Sequence, residues 1–280
     1  MNLLREKLIS RLKRLVYEFP GVMGISINDL IEEDEISING DELFPIGSAI
    51  KIPILIEFYR QIEEGLIDPK DVIALKEKHI VGGSGVLKEF EQDSIIMPLI
   101  NYAILMIVVS DNVAANILID IVGMNNINKT LNSLGLSKTK LQRKMMNYEA
   151  AKGGRENIST PREMMILMKK IYRREGLSSY VCDNVLDMLK RPKEGIIRAS
   201  IPDEIFVADK WGEVEGAICD VGIVFLQRRP YVIALMTKHV PLSDHHNLNT
   251  KTYMINMGRI VYDYFKEVDI ATSLGRRFPR

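Results

Sequence analysis

Several serine and lysine residues in this chain have the spacing that places both side chains on one face of a helix. The pairs are Ser10 and Lys13, Ser48 and Lys51, and Ser137 and Lys140. A serine hydroxyl becomes a nucleophile when a base takes its proton, and a desolvated lysine can be that base. Only Ser48 precedes a strongly apolar helical segment, residues 52–56. Ser48 is therefore the candidate nucleophile and Lys51 its candidate base; the alternative is a helix cap beside a solvated lysine.

The triplet Ser110-Asp111-Asn112 occurs once and lies between two apolar helical stretches, residues 103–109 and 113–122. Polar groups in such a position must find partners or face a cleft. Ser110 could relay a proton, Asn112 could hold a substrate amide and Asp111 could tie the loop together. The alternative is an ordinary turn in which Ser110 and Asp111 cap the second helix.

A third candidate is Lys210-Trp211-Gly212, which follows a β-rich run that we expect to end at Lys210. A glycine in an edge strand lets the backbone of a substrate approach closely, which makes Gly212 a candidate binding residue. The alternative is a surface lysine beside a turn.

Hydrophobic periodicity predicts the elements that must position these residues. An amphipathic helix over 2–19 and a final helix over 250–266 lie at the two ends of the chain, and weak alternation across 22–38 predicts two strands joined at residues 32–34. After Pro202, three short β-rich runs predict neighbouring antiparallel strands. They cover residues 205–210, 217–226 and 231–238 and are split by Trp211 with Gly212 and by Arg229 with Pro230.

The middle of the chain, residues 48–192, is mostly helical by its period and by caps such as Thr160 before Pro161. We therefore predict an α+β fold, with a five-stranded antiparallel sheet flanked by the N- and C-terminal helices and an inserted all-helical lobe. Residues 1–47 and 193–280 form the α/β lobe, and residues 48–192 form the helical lobe. Because the lobes are interleaved, we expect one unit with a ligand cleft between them.

In this order and spacing, the three motifs resemble the serine β-lactamases and penicillin-binding proteins, closest to class A β-lactamases, whose set is S-x-x-K, S-D-N and K-T-G. The resemblance covers nearly the whole chain. It implies that Ser48 is acylated, that Lys51 is its base or proton relay, and that Ser110 passes the proton to the leaving nitrogen. Asn112 would bind the substrate amide, and Lys210 would supply positive charge near the substrate carboxylate.

The resemblance also implies an oxyanion hole made by the backbone N–H groups of Ser48 and Glu213.

Trp211 departs from the family, which has Thr or Ser there to help hold the β-lactam carboxylate. Losing such a charge-assisted hydrogen bond costs about 1.5–3 kcal/mol, so binding of that carboxylate should weaken tenfold or more. Glu213 and Glu215 add negative charge close by, and Trp211 would narrow the cleft or offer a stacking surface.

The loop before Thr160 is a second departure, because it lacks the Glu-x-x-Leu-Asn pattern whose glutamate activates the deacylating water in class A β-lactamases. Glu149 is the nearest carboxylate in sequence and Asn147 the nearest amide. Glu149 is therefore the candidate water-activating base, with helix-start electrostatics or solvation as the alternative. Without a base the acyl-enzyme would persist, as in penicillin-binding proteins.

The leading functional prediction is a class A-like serine hydrolase that works through an acyl-enzyme on Ser48 and nominally hydrolyses the β-lactam amide. One alternative is a penicillin-binding-like D-peptidase or esterase with weak or no β-lactam turnover. Another is a sensor that is acylated without turnover. The partner is accordingly a small-molecule substrate: a β-lactam, a D-peptide or an ester.

Composition excludes other classes of protein. The 280 residues contain 37 Lys and Arg and 37 Asp and Glu, and this zero net charge argues against nucleic-acid binding and against a polybasic membrane-surface protein. Two cysteines, Cys182 and Cys219, exclude a disulfide scaffold and a four-cysteine zinc site. No cofactor and no metal are predicted, because no phosphate-binding glycine loop occurs and the histidines lack ligand spacing. The histidines are His79, His239, His245 and His246.

The N-terminal segment is interrupted by charges such as Arg5, Glu6 and Lys7, so it lacks the unbroken apolar stretch of a secretory signal. No apolar run approaches the length of a membrane span. As written, the chain is expected to be cytoplasmic, or exported if a signal was removed. We expect a monomer or a weak dimer.

Overall fold

A computed structural model describes residues 3–91, 93–244, 247–271 and 275. The chain divides into two compact units. The sheet unit comprises Met1–Gly47, Ser159–Lys169 and Glu194–Arg280, and the helical unit comprises Ser48–Ile158 and Lys170–Lys193. His245 and His246 lie outside the described residues.

The strands and helices follow one another in an order that interleaves the two units. The strands are β1 (Val22–Asp29), β2 (Glu35–Ile38), β3 (Phe44–Pro45), β4 (Val72–Ala74), β5 (Ile96–Pro98), β6 (Ile158–Ser159), β7 (Val207–Val214), β8 (Ala217–Val224) and β9 (Tyr231–Lys238). The helices are α1 (Leu3–Glu18), α2 (Lys51–Glu63), α3 (Leu99–Val108), α4 (Asn112–Val122), α5 (Met124–Ser133), α6 (Tyr148–Lys152), α7 (Pro161–Arg173), α8 (Ser179–Lys190), α9 (Ile196–Ala199) and α10 (Leu248–Asp269).

The sheet unit is built on a five-stranded sheet in the order β2-β1-β9-β8-β7. All four pairings are antiparallel, so the predicted five-stranded antiparallel sheet and the α+β fold are confirmed. In the central pairing, β1 lies beside β9 with Val22 opposite Lys238. Strands from the two ends of the sequence therefore form the middle of one sheet, and β7 is left at an edge.

The terminal helices pack on one face of this sheet, as the periodicity predicts. Their apolar stripes supply Leu8 and Leu12 from α1 and Met257 and Phe265 from α10, and these side chains share one core with inward residues of β1, β8 and β9. The rings of Tyr231 and Phe265 stack with their centroids 4.1 Å apart. Burial of this common apolar face holds both ends of the chain on the sheet.

The predicted break at Trp211 and Gly212 is wrong, because β7 continues through both residues to Val214. Trp211 pairs with Asp220 and Gly212 with Cys219, so both lie in the ladder. The hairpin turns instead at Gly216, whose φ of +75° is a conformation that glycine adopts without steric cost. Lys210 therefore lies inside a strand rather than at its end.

The helical unit surrounds α2, which is buried along most of its length and contacts α4, α5 and α8. A hairpin of β4 and β5, in which Val72 lies opposite Pro98, was not predicted. These three-residue strands are too short to display a period of two.

In the sheet unit, α7 begins as predicted, because Glu163 N donates to Thr160 Oγ1 at 3.1 Å. Within the part of the chain described, no helix has the length and apolarity that a membrane span requires.

Candidate active site

Ser48 and Lys51 are brought together by the turn that begins α2. Residues 47–50 form one turn of 3-10 helix, and α2 starts at Lys51, so the two side chains lie on one face. Lys51 Nζ lies 3.0 Å from Ser48 Oγ. The Lys51 side chain is fully buried, because the segment after it is the apolar core of the helical unit. The predicted nucleophile and base are therefore in hydrogen-bond contact.

Lys51 also contacts the triplet between α3 and α4. Its Nζ lies 2.6 Å from Ser110 O, 3.1 Å from Ser110 Oγ and 2.9 Å from Asn112 Oδ1. An ammonium has three hydrogens to donate, and a neutral amine has two hydrogens and one lone pair. The carbonyl of Ser110 and the amide oxygen of Asn112 can only accept, whereas the hydroxyls of Ser48 and Ser110 can donate or accept. The same geometry therefore suits both protonation states of the amine.

Ser110 adopts a left-handed backbone with φ +55°, which is uncommon for a residue other than glycine. This turn separates α3 from α4 and gives Lys51 both the carbonyl and the hydroxyl of one residue. Backbone strain of this kind persists only where surrounding contacts hold it. The contacts that hold it come from the next residue.

Asp111 fixes the turn with three hydrogen bonds to backbone N–H groups. Its carboxylate accepts from Ala114 N at 2.9 Å as the N-cap of α4. It also accepts from Val86 N at 2.7 Å and Leu87 N at 2.9 Å, which ties down the segment before β5. A Cβ on Gly85 would come within 2.3 Å of this carboxylate, so only glycine fits there. Asp111 therefore ties the loop together, as expected, and also caps α4.

Asn112 joins the candidate base to the glycine segment 82–85. Its Nδ2 donates to Gly82 O at 3.2 Å, and its backbone N–H donates to Ser84 O at 3.0 Å. A Cβ on Gly83 would fall 2.5 Å from Asn112 Nδ2 and 2.7 Å from Met146 Sδ. The thioether of Met146 is therefore a neighbour of the Asn112 amide, and no pattern in the sequence indicated it.

Asparagine side chains clamp the loop that leads to Met146. Asn116 binds the N–H of Met145 at 2.8 Å and its carbonyl at 3.1 Å. Asn128 binds Leu141 in the same way: its Oδ1 accepts from Leu141 N at 3.0 Å, and its Nδ2 donates to Leu141 O at 2.9 Å. Because each amide replaces a backbone partner, this loop is held although it lacks regular secondary structure. No sequence pattern marks these asparagines.

Glu149 lies on the short helix α6, whose N-cap is Asn147. Its side chain is 85% exposed and forms an ion pair with Lys152 at 3.2 Å. Its carboxylate therefore faces solvent, whereas Lys51 Nζ is buried. Glu156, another carboxylate of this loop, pairs with Arg143 at 2.8 Å.

Lys210, Trp211, Gly212 and Glu213 are consecutive residues of β7 in the sheet unit, so their side chains alternate between its faces. Lys210 is buried, and its Nζ lies 2.9 Å from Trp211 O. On the opposite face, Lys251 Nζ lies 5.4 Å from the centroid of the Trp211 ring. The stacking partner of the indole in this structure is thus a lysine of α10.

Glu213 also faces α10 rather than open solvent. Its carboxylate contacts Lys251 Nζ at 2.8 Å and Asn247 Nδ2 at 2.6 Å, so a cation offsets the negative charge predicted here. Its backbone N–H lies against Gly47, where a Cβ would come within 2.8 Å. Gly47 has φ +47°, and a side chain there would be excluded by both strain and contact.

The two cysteines lie on different elements, Cys182 on α8 and Cys219 on β8 opposite Gly212. Cys182 and Cys219 are free thiols, both buried. Burial raises the pKa of Cys182 to about 11, and it raises the pKa of Cys219 as well. Among the residues described, no group of three or more His, Cys, Asp or Glu side chains could hold a metal ion.

Comparison with known proteins identifies the family. The pattern of the β-lactamase enzyme family matches residues 7–265 of this chain. The chain belongs to the β-lactamase enzyme family. Beta-lactamase SME-1 of Serratia marcescens is 23% identical over 248 residues, which cover 86% of this chain and 84% of that protein. Beta-lactamase 1 of Streptomyces cacaoi is 27% identical over 251 residues, covering 83% and 76%.

Solved structures agree with this membership. The class A β-lactamase of Mycobacterium abscessus is 26% identical with a TM-score of 0.83, covering 92% of this chain and 99% of that one. PBP-A is 27% identical with a TM-score of 0.83, covering 93% and 96%. A PBP-A variant solved as an acyl-enzyme complex with penicillin G is similar to the same degree, with a TM-score of 0.84 and coverage of 93% and 97%. This chain is thus a serine hydrolase of the class A β-lactamase type.

Proposed function

We propose that this enzyme opens the amide of β-lactams by acyl transfer to Ser48. The observation that carries the proposal is the buried amine of Lys51, which lies 3.0 Å from Ser48 Oγ and contacts both oxygens of Ser110. A nucleophile, a base and a second hydroxyl that can carry the proton onward are the groups that amide acylation needs.

The reaction starts when Lys51 takes the proton of Ser48 and Ser48 Oγ attacks the carbonyl carbon of the lactam. The C–N bond then breaks, and the nitrogen receives a proton that passes from Lys51 through the Ser110 hydroxyl. The product is an ester on Ser48 with Lys51 neutral again. Water then cleaves the ester, so that the acid leaves with the hydroxyl and Ser48 regains its hydrogen.

The other candidate residues receive binding roles in this proposal. Asn112 binds the amide of the substrate, and Lys210 binds its carboxylate through charge. The backbone N–H groups of Ser48 and Glu213 bind the developing oxyanion, since such donors stabilise charge that forms in the transition state. The backbone of Gly212 borders the substrate, whereas the indole of Trp211 lies on the other face of β7 against Lys251. The resemblance of the motifs supports these assignments, and each is a target for substitution.

The relatives support the class of substrate. Those with similar sequences are β-lactamases, and a PBP-A variant forms an acyl-enzyme with penicillin G. The exposed ion pair of Glu149 with Lys152 gives no support to the candidate base for deacylation. We therefore assign the proton transfers of both half-reactions to the Lys51 relay.

The test is a quenched time course of intact protein mass with penicillin G, with free hydrolysed ligand measured in the same samples. We expect an adduct that Ser48→Ala abolishes, together with release of the hydrolysed ligand. Lys51→Met should slow acylation by about 10²–10⁴-fold, the usual contribution of a general base. Lys140→Met, in another pair of the same spacing, is the matched control and should retain the wild-type rate. Hydrolysis that survives Ser48→Ala, or no adduct and no hydrolysis, would overturn the proposal.

A further inference from the structure

Met146 differs from most methionines of this chain because solvent has access to its side chain. Within the residues described, the partly exposed methionines are Met97, Met124 and Met146, and the others are buried. Met97 lies on β5 opposite Ile73, and Met124 begins α5. Met146 instead precedes α6, in the loop that contacts the candidate site. A thioether is oxidised where a reagent can reach its sulfur, so exposure makes these three side chains the candidates.

The sulfur of Met146 lies between a surface tyrosine and the amide of Asn112. The hydroxyl of Tyr148 is 3.9 Å from Met146 Sδ, and the Tyr148 side chain is 60% exposed. On its other side, a Cβ on Gly83 would fall 2.7 Å from the sulfur and 2.5 Å from Asn112 Nδ2. The same point beside Gly83 is therefore close to both the thioether and the amide. An atom added to this sulfur is placed next to Asn112.

The backbone around Met146 keeps its side chain against the glycine segment. A Cβ on Gly82 would fall 3.8 Å from Met146 Cε, and a Cβ on Gly83 would fall 3.1 Å from the same methyl carbon. Met146 has a left-handed backbone with φ +65°, which is uncommon for a residue other than glycine. Asn116 holds both backbone groups of Met145, the preceding residue. The thioether is thus in a fixed place.

The cysteines compete poorly with Met146 for an oxidant. A thiol reacts as its thiolate, and Cys182 and Cys219 are both buried. Burial raises the pKa of each thiol, so little thiolate is present at neutral pH. Met145 is also buried, although it is the next residue in the chain. Access to solvent therefore favours Met146 over these sulfurs.

We propose that Met146 is a site of oxidation by peroxides, and that its sulfoxide occupies the Asn112 amide. A lone pair of the sulfur attacks one oxygen of hydrogen peroxide, and the O–O bond breaks. The transferred oxygen gives its proton to the departing hydroxide, which leaves as water. The thioether loses two electrons and the peroxide gains them. The product is a polar group where a thioether was, and methionine sulfoxide reductases reverse the change.

The sulfoxide oxygen changes what Asn112 can bind. A thioether accepts hydrogen bonds weakly, whereas a sulfoxide oxygen accepts them well. One hydrogen of Asn112 Nδ2 is donated to Gly82 O at 3.2 Å, and the sulfoxide takes the other. The amide then has no hydrogen left for a substrate. This effect rests on the proposed function, whereas the oxidation of Met146 does not. Loss of one hydrogen bond to the substrate should slow acylation about tenfold.

The first measurement maps oxidation without reference to activity. The folded protein is treated with dilute hydrogen peroxide, and the gain of one oxygen at each methionine and cysteine is followed by peptide mass. We expect Met146 to be oxidised at least tenfold faster than Met145, its buried neighbour. Oxidation of Met146 that is as slow as that of Met145 would overturn the modification site.

The second measurement is the rate of acylation by penicillin G before and after the same treatment. Wild type should become about tenfold slower at subsaturating penicillin and recover with methionine sulfoxide reductases. Met97→Leu and Met124→Leu keep the proposed site and should lose rate as wild type does, whereas Met146→Leu should keep its own untreated rate. An equal loss in Met146→Leu, or full oxidation of Met146 with an unchanged rate, would overturn the effect on Asn112.

A third measurement separates this inference from the proposed function. If untreated wild type forms no acyl-enzyme, the proposed function fails, and the amide is followed directly by NMR. The side-chain amide signal of Asn112 is assigned by its absence from Asn112→Ser. It should shift when wild type is oxidised and stay in place when Met146→Leu is treated in the same way. A signal that stays in place in oxidised wild type would show that the sulfoxide does not bind Asn112.

Discussion

At the scale of single residues, the geometry around Lys51 depends on which neighbours are able to donate a hydrogen. Two of its acceptors, Ser110 O and Asn112 Oδ1, never carry one. These two acceptors hold the amine in place. Its remaining hydrogen or lone pair is then available to the hydroxyls of Ser48 and Ser110. A proton can then pass from Ser48 to Ser110 through the amine with little movement of heavy atoms, as efficient acid–base catalysis requires.

A prediction at this scale concerns Glu149. Its carboxylate faces solvent and pairs with Lys152 on the surface of α6. Exposed ion pairs of this kind contribute about 0–1 kcal/mol to stability. We expect Glu149→Gln to change the rate of deacylation by less than about twofold, because removing a solvated charge leaves the Lys51 relay intact. Single-turnover decay of the acyl-enzyme measures this rate.

Lys152→Gln is the matched control, because it removes the other half of the same ion pair. Deacylation slowed a hundredfold or more in Glu149→Gln, with Lys152→Gln unaffected, would restore the glutamate as the water-activating base. Equal losses in both variants would indicate instead that the ion pair supports the fold of α6.

At the scale of elements, sequence patterns predicted those parts of the site that depend on one helix and its cap. The contact of Ser48 with Lys51 and the Asp111 cap are local, so they follow from where α2 and α4 begin. The extent of β7 was predicted wrongly because Trp211 and Gly212 read as a turn, whereas their pairing with β8 keeps them in the strand. Non-local pairing overrides local preference in sheets.

A prediction at the scale of elements concerns Asp111, which caps α4 and holds the backbone of Val86 and Leu87. Asp111→Ala should lower the free energy of unfolding by about 1–3 kcal/mol, since a buried cap and two further hydrogen bonds are lost. We also expect acylation to slow at least tenfold, because the strained turn at Ser110 loses its support. Thermal unfolding and the mass time course measure the two effects.

Ser178→Ala is the control for this prediction. Ser178 caps α8 in the same unit by accepting from Val181 N at 3.1 Å. Its loss should destabilise the protein by about 1 kcal/mol without slowing acylation. If both cap variants slow acylation in proportion to their loss of stability, Asp111 has no specific part in supporting the site.

At the scale of the whole molecule, the sequence predicted the five-stranded sheet and the terminal helices because their periodic patterns are long. It did not predict the contacts that join distant segments through side-chain amides. Asn116 and Met145 are far apart in sequence, and nothing in either segment marks their two hydrogen bonds. The contacts of Trp211 and Glu213 with Lys251 were not predicted either, since Lys251 belongs to the distant helix α10.

A prediction at this scale concerns the stability of the protein at acidic pH. Glu57 is buried in the helical unit and accepts hydrogen bonds from Arg60, Gln61 and Thr130. Burial by itself would raise the pKa of Glu57, but these hydrogen bonds outweigh it and lower the pKa below its ordinary 4.5. Its contribution to stability is therefore complete above that value and is lost as the pH falls through the lowered folded-state pKa.

We expect Glu57→Gln to lower Tm at pH 7 and to lose less stability than wild type on acidification below about pH 4.5. Thermal unfolding between pH 3 and pH 7 measures both effects. Glu64→Gln, which removes the exposed partner of the same Arg60, is the control and should follow wild type. A parallel loss of stability in wild type and Glu57→Gln would mean that other carboxylates cause the loss of stability at acidic pH.

The pairing of β1 with β9 also determines the order in which the protein can be completed during synthesis. Val22 leaves the ribosome long before Lys238, its partner, is made, and the whole helical unit emerges in between. Ser48, Lys51, Ser110 and Asn112 can therefore meet while β1 and β2 still lack the centre of their sheet. Until β9 arrives, the inner edge of β1 is an open strand edge, the kind of surface that pairs with other chains.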